Sequence, residues 1–296
     1  MIELRTATTD DELEAWRRVR MAVLPNERCA SVEDMRRAAT SETLWLLAEI
    51  DGEVAGSGLA RGTDFAGRAF LAPRVLPEQR RRGAGTVLLS ALADHAVTHG
   101  YAEASALVED PGSLAFAERF GFLGKWEQVE QVRPIARGEA PPTVPAGIEL
   151  VSLAERPELF VRTYEELAVD ALADLPLDEP IDVSLESWER EWVSWPEGSF
   201  VALAGDEIVG CAGLLRDEEV PTRAEHSLTA VRRDRRGHGI ARALKQQTIA
   251  WASANGLREL YTWTQDGNNA MRGLNASLGY FTRGVCTRMR AELPLR

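Results

Sequence analysis

Lysine is almost missing from this 296-residue sequence: only Lys125 and Lys245 occur, so 32 of the 34 basic residues are arginine. Acids outnumber bases, 46 to 34, for a formal net charge of −12. A chain this acidic lacks the basic footprint that bulk affinity for nucleic acid needs, and no nucleic-acid partner is expected. Cysteine is scarce too. Cys29, Cys211 and Cys286 are odd in number and far apart, with neither a disulfide framework nor a metal-ligand spacing, so inert thiols in a reducing cytoplasm are expected and no metal is. No apolar run reaches the roughly 18 residues of a membrane span. The opening MIELRTATTDDELEAW does not have the basic-then-apolar order of a signal peptide, so a cytoplasmic protein without a membrane partner is expected. What is present is ordinary for a globular chain. It is 45% apolar and 27% charged, which is enough apolar surface for a core. At roughly 150 residues per domain, the length favours two domains.

An internal repeat supports that division. Trp45 to Ala60, WLLAEIDGEVAGSGLA, reads like Phe200 to Leu215, FVALAGDEIVGCAGLL. Each is an apolar run, a glycine-containing polar turn and a second apolar run, which is a hairpin pattern. VLPEQRRRGAGTVLLSAL from Val75 matches VRRDRRGHGIARALKQQT from Val231, and FAERFGF ending at Phe122 matches LNASLGY ending at Tyr280. Between the copies, Arg133 to Gly147 holds four prolines and makes a poor helix or central strand. The expected division is an N-terminal domain over 1–135, a linker over 136–146 and a C-terminal domain over 147–296. Each half reads as strand, helices, hairpin, strand, glycine turn, helix, strand, helix, strand. Asp10 to Val23 and Pro157 to Leu172 are the early helices. The fold class is α/β, a mixed sheet flanked by helices in each half.

The glycine turns carry the chemistry. Arg80-Arg81-Arg82-Gly83-Ala84-Gly85 and Arg236-Gly237-His238-Gly239-Ile240-Ala241 both fit R-x-x-G-x-G/A, after a strand and before an amphipathic helix. Small residues let the backbone approach an anion, and the helix N-terminus aims unpaired N–H groups at it, so a pyrophosphate would fit. The bland alternative is a tight strand-to-helix turn; recurrence in both halves favours the functional one.

Here the sequence resembles the GCN5-related N-acetyltransferase (GNAT) superfamily over most of each half, in a doubled architecture that mycothiol synthase also has. The R-x-x-G-x-G/A turn is similar to that family's acetyl-CoA pyrophosphate motif, and Asn268 to Tyr280, NNAMRGLNASLGY, to its closing helix and turn. The resemblance implies two tandem domains with splayed sheets and acetyl-CoA as co-substrate. It places the cofactor on Ala230, Val231, Arg236, Gly237, His238, Gly239, Ile240, Ala241, Arg242 and Asn268, and in the first half on Arg80, Arg81, Arg82, Gly83, Ala84, Gly85 and Thr86. It also implies direct attack of a primary amine on the thioester, with a base, a backbone donor to the carbonyl and an optional acid for the thiolate.

The halves differ at the positions the resemblance assigns. The base position, six residues before the strand-end valine, is Glu225 in the second half and Ala69 in the first. The backbone donor position is Thr229 in the second half and Pro73 in the first, and proline has no N–H. The acid position, commonly tyrosine in the family, is Asn275 in the second half and Ala117 in the first; Tyr280 is a nearby alternative. Asn268 faces a counterpart Asp110, a carboxylate unfavourable beside phosphates. The C-terminal half is therefore expected to be the N-acetyltransferase and the first half a degenerate copy. His226, next to Glu225, points to the opposite face of a strand. A small-molecule amine is the expected acceptor; the acid-rich Asp170 to Asp182 is either a solvated loop or a stretch that favours a cationic one, and Trp188, Trp192 and Trp195 are either core or the place to look for its contacts. A monomer or homodimer is expected. The rival readings are a non-catalytic acetyl-CoA-binding or regulatory module and an interaction scaffold.

Overall fold

The computed structural model describes residues 1–175 and 183–295. Two compact units result: residues 1–127 with 286–296, and residues 128–285. In the first, strands β1 (Ile2–Thr6), β2 (Leu44–Ile50), β3 (Glu53–Gly62), β4 (Arg68–Leu71) and β6 (Glu103–Val108) lie side by side, and β5 (Arg74–Val75) also pairs with β3. The second unit orders β8 (Glu149–Ser152), β9 (Phe200–Ala204), β10 (Glu207–Arg216), β11 (Arg223–Val231) and β12 (Glu259–Gln265) the same way.

The last strand of each sheet is exchanged. In β7 (Leu123–Pro134), Gln128 to Pro134 pair antiparallel with Gln265 to Glu259 of β12. In β13 (Phe281–Glu292), Thr287 to Glu292 pair antiparallel with Val108 to Glu103 of β6. The units are therefore not the contiguous halves 1–135 and 147–296. Nor is 136–146 a linker between domains: Ser253 Oγ donates to the Ala136 carbonyl at 2.7 Å and Arg133 pairs with Glu139 at 2.8 Å, all within the second unit. The physical reason is symmetry of pattern. Both closing strands follow the same helix-and-turn, and local sequence does not say which parallel neighbour each will join.

Helices cover the sheets as their apolar spacing requires. The first, α1 (Asp10–Val23), starts at a capping box in which the Glu12 amide donates to Thr9 Oγ1 and the Thr9 amide to Glu12 Oε2. It buries Leu13 and Trp16 against Leu47, and α2 (Val32–Ala38) adds Met35. On the opposite face α3 (Ala84–Thr98) packs Leu88, Leu89 and Leu92 over Ala60, Ala69, Leu71, Ala104 and Met289, and α4 (Pro111–Arg119) follows β6. In the second unit the segment expected as one helix is α5 (Leu159–Thr163), a π turn over Tyr164–Ala168 and α6 (Val169–Ala173), with α7 (Leu185–Glu191) beyond. Opposite them lies α8 (Ile240–Ala254), with Ile240 and Leu244 on Phe200, Val209, Ala212 and Val231; α9 (Asn269–Ser277) follows β12. Among the described residues no helix is long and apolar enough to cross a membrane, and no group of three His, Cys, Asp or Glu could hold a metal ion. All three cysteines are buried, and burial pushes the Cys211 thiol up to about 12.

Candidate active site

Each sheet opens at its parallel pair. In the second unit the rungs between β11 and β12 end at Glu225 opposite Tyr261, although β11 runs on to Val231 and β12 to Gln265. In the first unit the matching rungs end at Phe70 opposite Ser105. Beyond these rungs the facing backbones are left for another partner. The Arg232 amide donates to the Val209 carbonyl on the β10 side at 3.0 Å. Amides alternate along a strand, so those of Val231 and Thr229 point the other way, toward the side β12 has left.

The rungs correct one correspondence. Glu225 sits opposite Leu215, and its counterpart, on the last parallel rung of the first unit, is Phe70 opposite Arg61 rather than Ala69. The cause is a bulge. From Ala212–Thr229 to Leu214–His226, β10 advances two residues and β11 three, whereas β3 and β4–β5 advance equally. Pro73 remains the counterpart of Thr229, because the insertion falls between. Gly213 sits at the bulge, where a Cβ would come within 2.2 Å of Ser227 Oγ and 2.6 Å of the Trp192 carbonyl. A Gly213→Ala chain should therefore lose about 1–3 kcal/mol of stability by forced displacement, checked by chemical denaturation.

The glycine turns have the geometry their pattern demands. Gly237 and Gly239 are left-handed at φ 79° and 83°; in the first unit Arg81 and Gly83 hold the same conformation at 66° and 94°. Arg81 takes a conformation costing roughly 1–2 kcal/mol for a residue with a Cβ. Neither Gly239 nor Gly83 has a capping side chain, so first-turn amides of α8 and α3, including those of Ile240, Ala241, Ala84 and Gly85, have no intrahelical partner. Nothing lies within 4 Å of where a Cβ would stand on Gly237. This uncapped, open cradle fits a pyrophosphate. Each leading arginine braces its turn: Arg236 Nε donates to the Val231 carbonyl at 2.9 Å and Arg80 Nε to the Val75 carbonyl at 3.2 Å. Other side chains of the motifs are engaged locally. His238 Nδ1 is 2.8 Å from the Arg236 carbonyl, Arg242 donates to Ser277 Oγ, and Arg82 donates to Gln79 and Asp51. Asp174, inside the acid-rich stretch, meets the turn: it accepts from both Arg233 and Arg236, whose guanidinium groups hold its carboxyl well below the usual range. No sequence pattern links it to a turn some sixty residues away.

The capping residues clarify Asp110. Its carboxylate accepts from the Gly112 and Ser113 amides as N-cap of α4, just as Asn268 Oδ1 accepts from the Met271 amide at the start of α9. Its role is the cap; polar partners rather than repulsion set its environment.

Glu225 is half-buried and takes a hydrogen bond from the Tyr261 hydroxyl at 3.2 Å. His226 faces the other way, as alternation requires. It is 1% exposed, its Nδ1 lies 3.4 Å from Lys245 Nζ on α8, and its Nε2 has no partner. Burial, then the lysine charge, drives the imidazole well below its usual value, and burial brings the lysine down to about 7. Lys245 escaped notice because at a helical apolar position one lysine reads as a surface residue. Tyr280 completes this buried group, its ring edge-on to His226 and under Lys245 Nζ. Its hydroxyl is buried without a partner and burial raises its pKa, so it packs as a core side chain that stays protonated. Asn275 is fully buried and donates to Gln131 Oε1 of β7 at 2.9 Å; it is neither a surface amide nor free to swing.

Trp188 packs on Phe160, Tyr164 and Trp192, whereas Trp195 meets Trp251. Phe160, Trp188, Trp192, Cys211 and Leu228 line an apolar cavity reaching Ser227, two residues from Glu225. Trp188 Nε1 and Thr163 Oγ1 border it without partners. The stretch expected to favour a cation, Asp170 to Asp182, lies from residue 176 onward outside the described residues.

The profile of the acetyltransferase (GNAT) family matches residues 3–122 and again 161–280. No curated protein matches. Among solved structures, a GCN5-related N-acetyltransferase from Sphaerobacter thermophilus is 21% identical, with TM-score 0.74 over 98% of this chain and 95% of that one. A tandem GNAT protein from the clavulanic acid biosynthesis pathway is 22% identical, with TM-score 0.76 over 99% and 98%.

Proposed function

Starting from the fact that the chain belongs to the acetyltransferase (GNAT) family, we propose that its second unit, residues 128–285, is an N-acetyltransferase acting on a small primary amine. Acyl-CoA-dependent acetyl transfer is the family's chemistry; the acceptor and the residues that act are this reading's own. The observation that carries it is the coincidence, in one unit, of a strand splay closing at a carboxylate, an amide turned into that splay, and an uncapped left-handed glycine turn.

The amides of the Arg236–Ala241 turn and the N-terminus of α8 would hold the pyrophosphate, with Arg236 bracing the loop. Acetyl-CoA supplies the acetyl thioester. The Thr229 amide stabilises the oxygen as it gains charge. Glu225, held by Tyr261, accepts the proton of the attacking amine. Asn275 stands at the position the family commonly gives to a tyrosine acid, and a thiolate is a tolerable leaving group without one. The first unit keeps a cofactor turn but has Phe70 and Pro73 where the base and donor would stand, and is read as degenerate in catalysis. A cytoplasmic monomer or homodimer, without a nucleic-acid or membrane partner, fits this reading.

Calorimetric titration with acetyl-CoA tests it. Gly239→Leu, which strains the turn and fills the cradle, should abolish binding in the second unit, and Gly83→Leu should leave that site intact. Undiminished binding by the Gly239→Leu chain sinks the proposal.

A further inference from the structure

The two units carry opposite charge on equivalent faces. In the first, Ala60, Ala69, Leu71, Ala104 and Met289 pack under α3. Residues alternating with them therefore lie on the other face. The ladders place Arg61 opposite Phe70, Phe70 opposite Ser105 and Ser105 opposite Arg290, with Arg68 opposite Glu103 and Arg288 opposite Leu107. Four arginines thus share this face with Glu103 and, at its margin, Glu292. The equivalent face of the second unit carries Glu225, Glu259 and Glu130, with Arg223 and Arg283. At the rung that decides chemistry, a Leu215–Glu225 pair is replaced by Arg61–Phe70.

The arginines are set among aromatic rings. Arg68 lies 4.8 Å from the Phe65 ring centroid, Arg288 lies 4.9 Å from that of Trp126 and 5.9 Å from Phe65, and Arg61 lies 5.8 Å from Phe70. Glu103 receives both Arg68 and Arg290. Arg288 has no such carboxylate: its Nε is buried without a hydrogen-bond partner. Burial first, then the charges of Arg68 and Arg61, lower its pKa to about 10, so it remains cationic near neutrality. A half-buried guanidinium whose Nε is buried and unpartnered is a donor that an anion can satisfy.

We infer that this face of the first unit binds a small planar organic anion, a carboxylate on a ring, with Arg288 holding the carboxylate and Phe65, Phe70 and Trp126 stacking on the ring. Guanidinium groups pair with carboxylates through two parallel donors, and flat rings prefer aromatic walls. The site is separate from the acetyl-transfer machinery and stands whether or not that machinery is correctly assigned.

Benzoate is the probe, with benzamide as its uncharged counterpart. Benzoate should bind the full chain and raise its melting temperature; benzamide should do neither. Arg288→Met should weaken benzoate binding at least tenfold while melting no lower than wild type without ligand, because an uncompensated cation has been removed. Arg61→Gln, which takes a positive charge off the same face, is the second variant and should also weaken binding. The inference is overturned if benzoate does not bind, if benzamide binds equally well, or if both variants bind benzoate as wild type does.

Discussion

Glu225→Gln and Thr229→Pro should each lower acetyl-transfer turnover by about two orders of magnitude or more, since a positioned general base and a single oxyanion donor are each worth about that much. The two losses have different signatures. Glu225→Gln removes the proton acceptor but keeps the shape, so acetyl-CoA should bind as before while turnover falls. Thr229→Pro removes one amide hydrogen. Thr229→Ala is its control: it keeps the amide, loses an Oγ1 that has no partner, and should stay within several-fold of wild type. In the first unit, Phe70→Glu with Pro73→Thr rebuilds the lost groups on paper and should not raise turnover while the second unit is intact. Steady-state kinetics with calorimetric acetyl-CoA affinities settles each case. Unchanged turnover in both Glu225→Gln and Thr229→Pro would remove the second unit from catalysis.

The second large effect is on stability. Lys245 has its pKa lowered from 10.5 to about 7 by burial. In the unfolded chain it binds a proton up to its ordinary value, in the folded chain only up to about 7. Between those limits the unfolded state holds more protons, so stability rises with pH. From pH 7 to pH 9 the gain is about 2 kcal/mol at about 1.36 kcal/mol per unit, the slope being half its full value at pH 7 where the folded lysine is half-protonated. That corresponds to a rise of roughly 4–8 °C in the melting temperature of a unit this size. His226 acts in the same direction at lower pH, because its pKa is also depressed and folding opposes its protonation below its ordinary value. Lys245→Met keeps the volume and removes the charge. It should melt higher than wild type at pH 7 and flatten the dependence above it. Parallel pH–melting curves for the two chains would show that the ammonium is not buried as described.

Much of this architecture was legible. Periodicity marked α1, the paired hairpins located β2–β3 and β9–β10, and the recurring arginine–glycine turn located both cradles, because those features are written in contiguous residues. What escaped was non-local. The bulge that moves the counterpart of Glu225 from Ala69 to Phe70 depends on which residues of β10 and β11 face each other, and an ungapped alignment cannot register an extra residue. Tyr280 and Asn275 occupied motif positions whose family roles suggested chemistry, but packing against His226 and Gln131 decided their surroundings. Asp174 joins the Arg236–Ala241 turn from some sixty residues away, and the arginine face of the first unit is assembled from β3, β4, β6 and β13. The contiguous division at 135 failed for the same reason: strand partners are chosen in space.

The exchanged closing strands bear on biosynthesis. The first unit takes its last strand from Thr287 to Glu292. Its sheet cannot be finished until residue 292 has left the ribosome, although its other strands emerge first. The second unit, by contrast, already has β7 in hand when β12 appears. On the ordinary expectation that amino-terminal domains mature first during synthesis, this chain inverts the order. Until its end arrives, the nascent first unit presents β6 as an open edge, the kind of edge along which chains aggregate. Loss of the last ten residues would therefore injure the part of the protein encoded earliest.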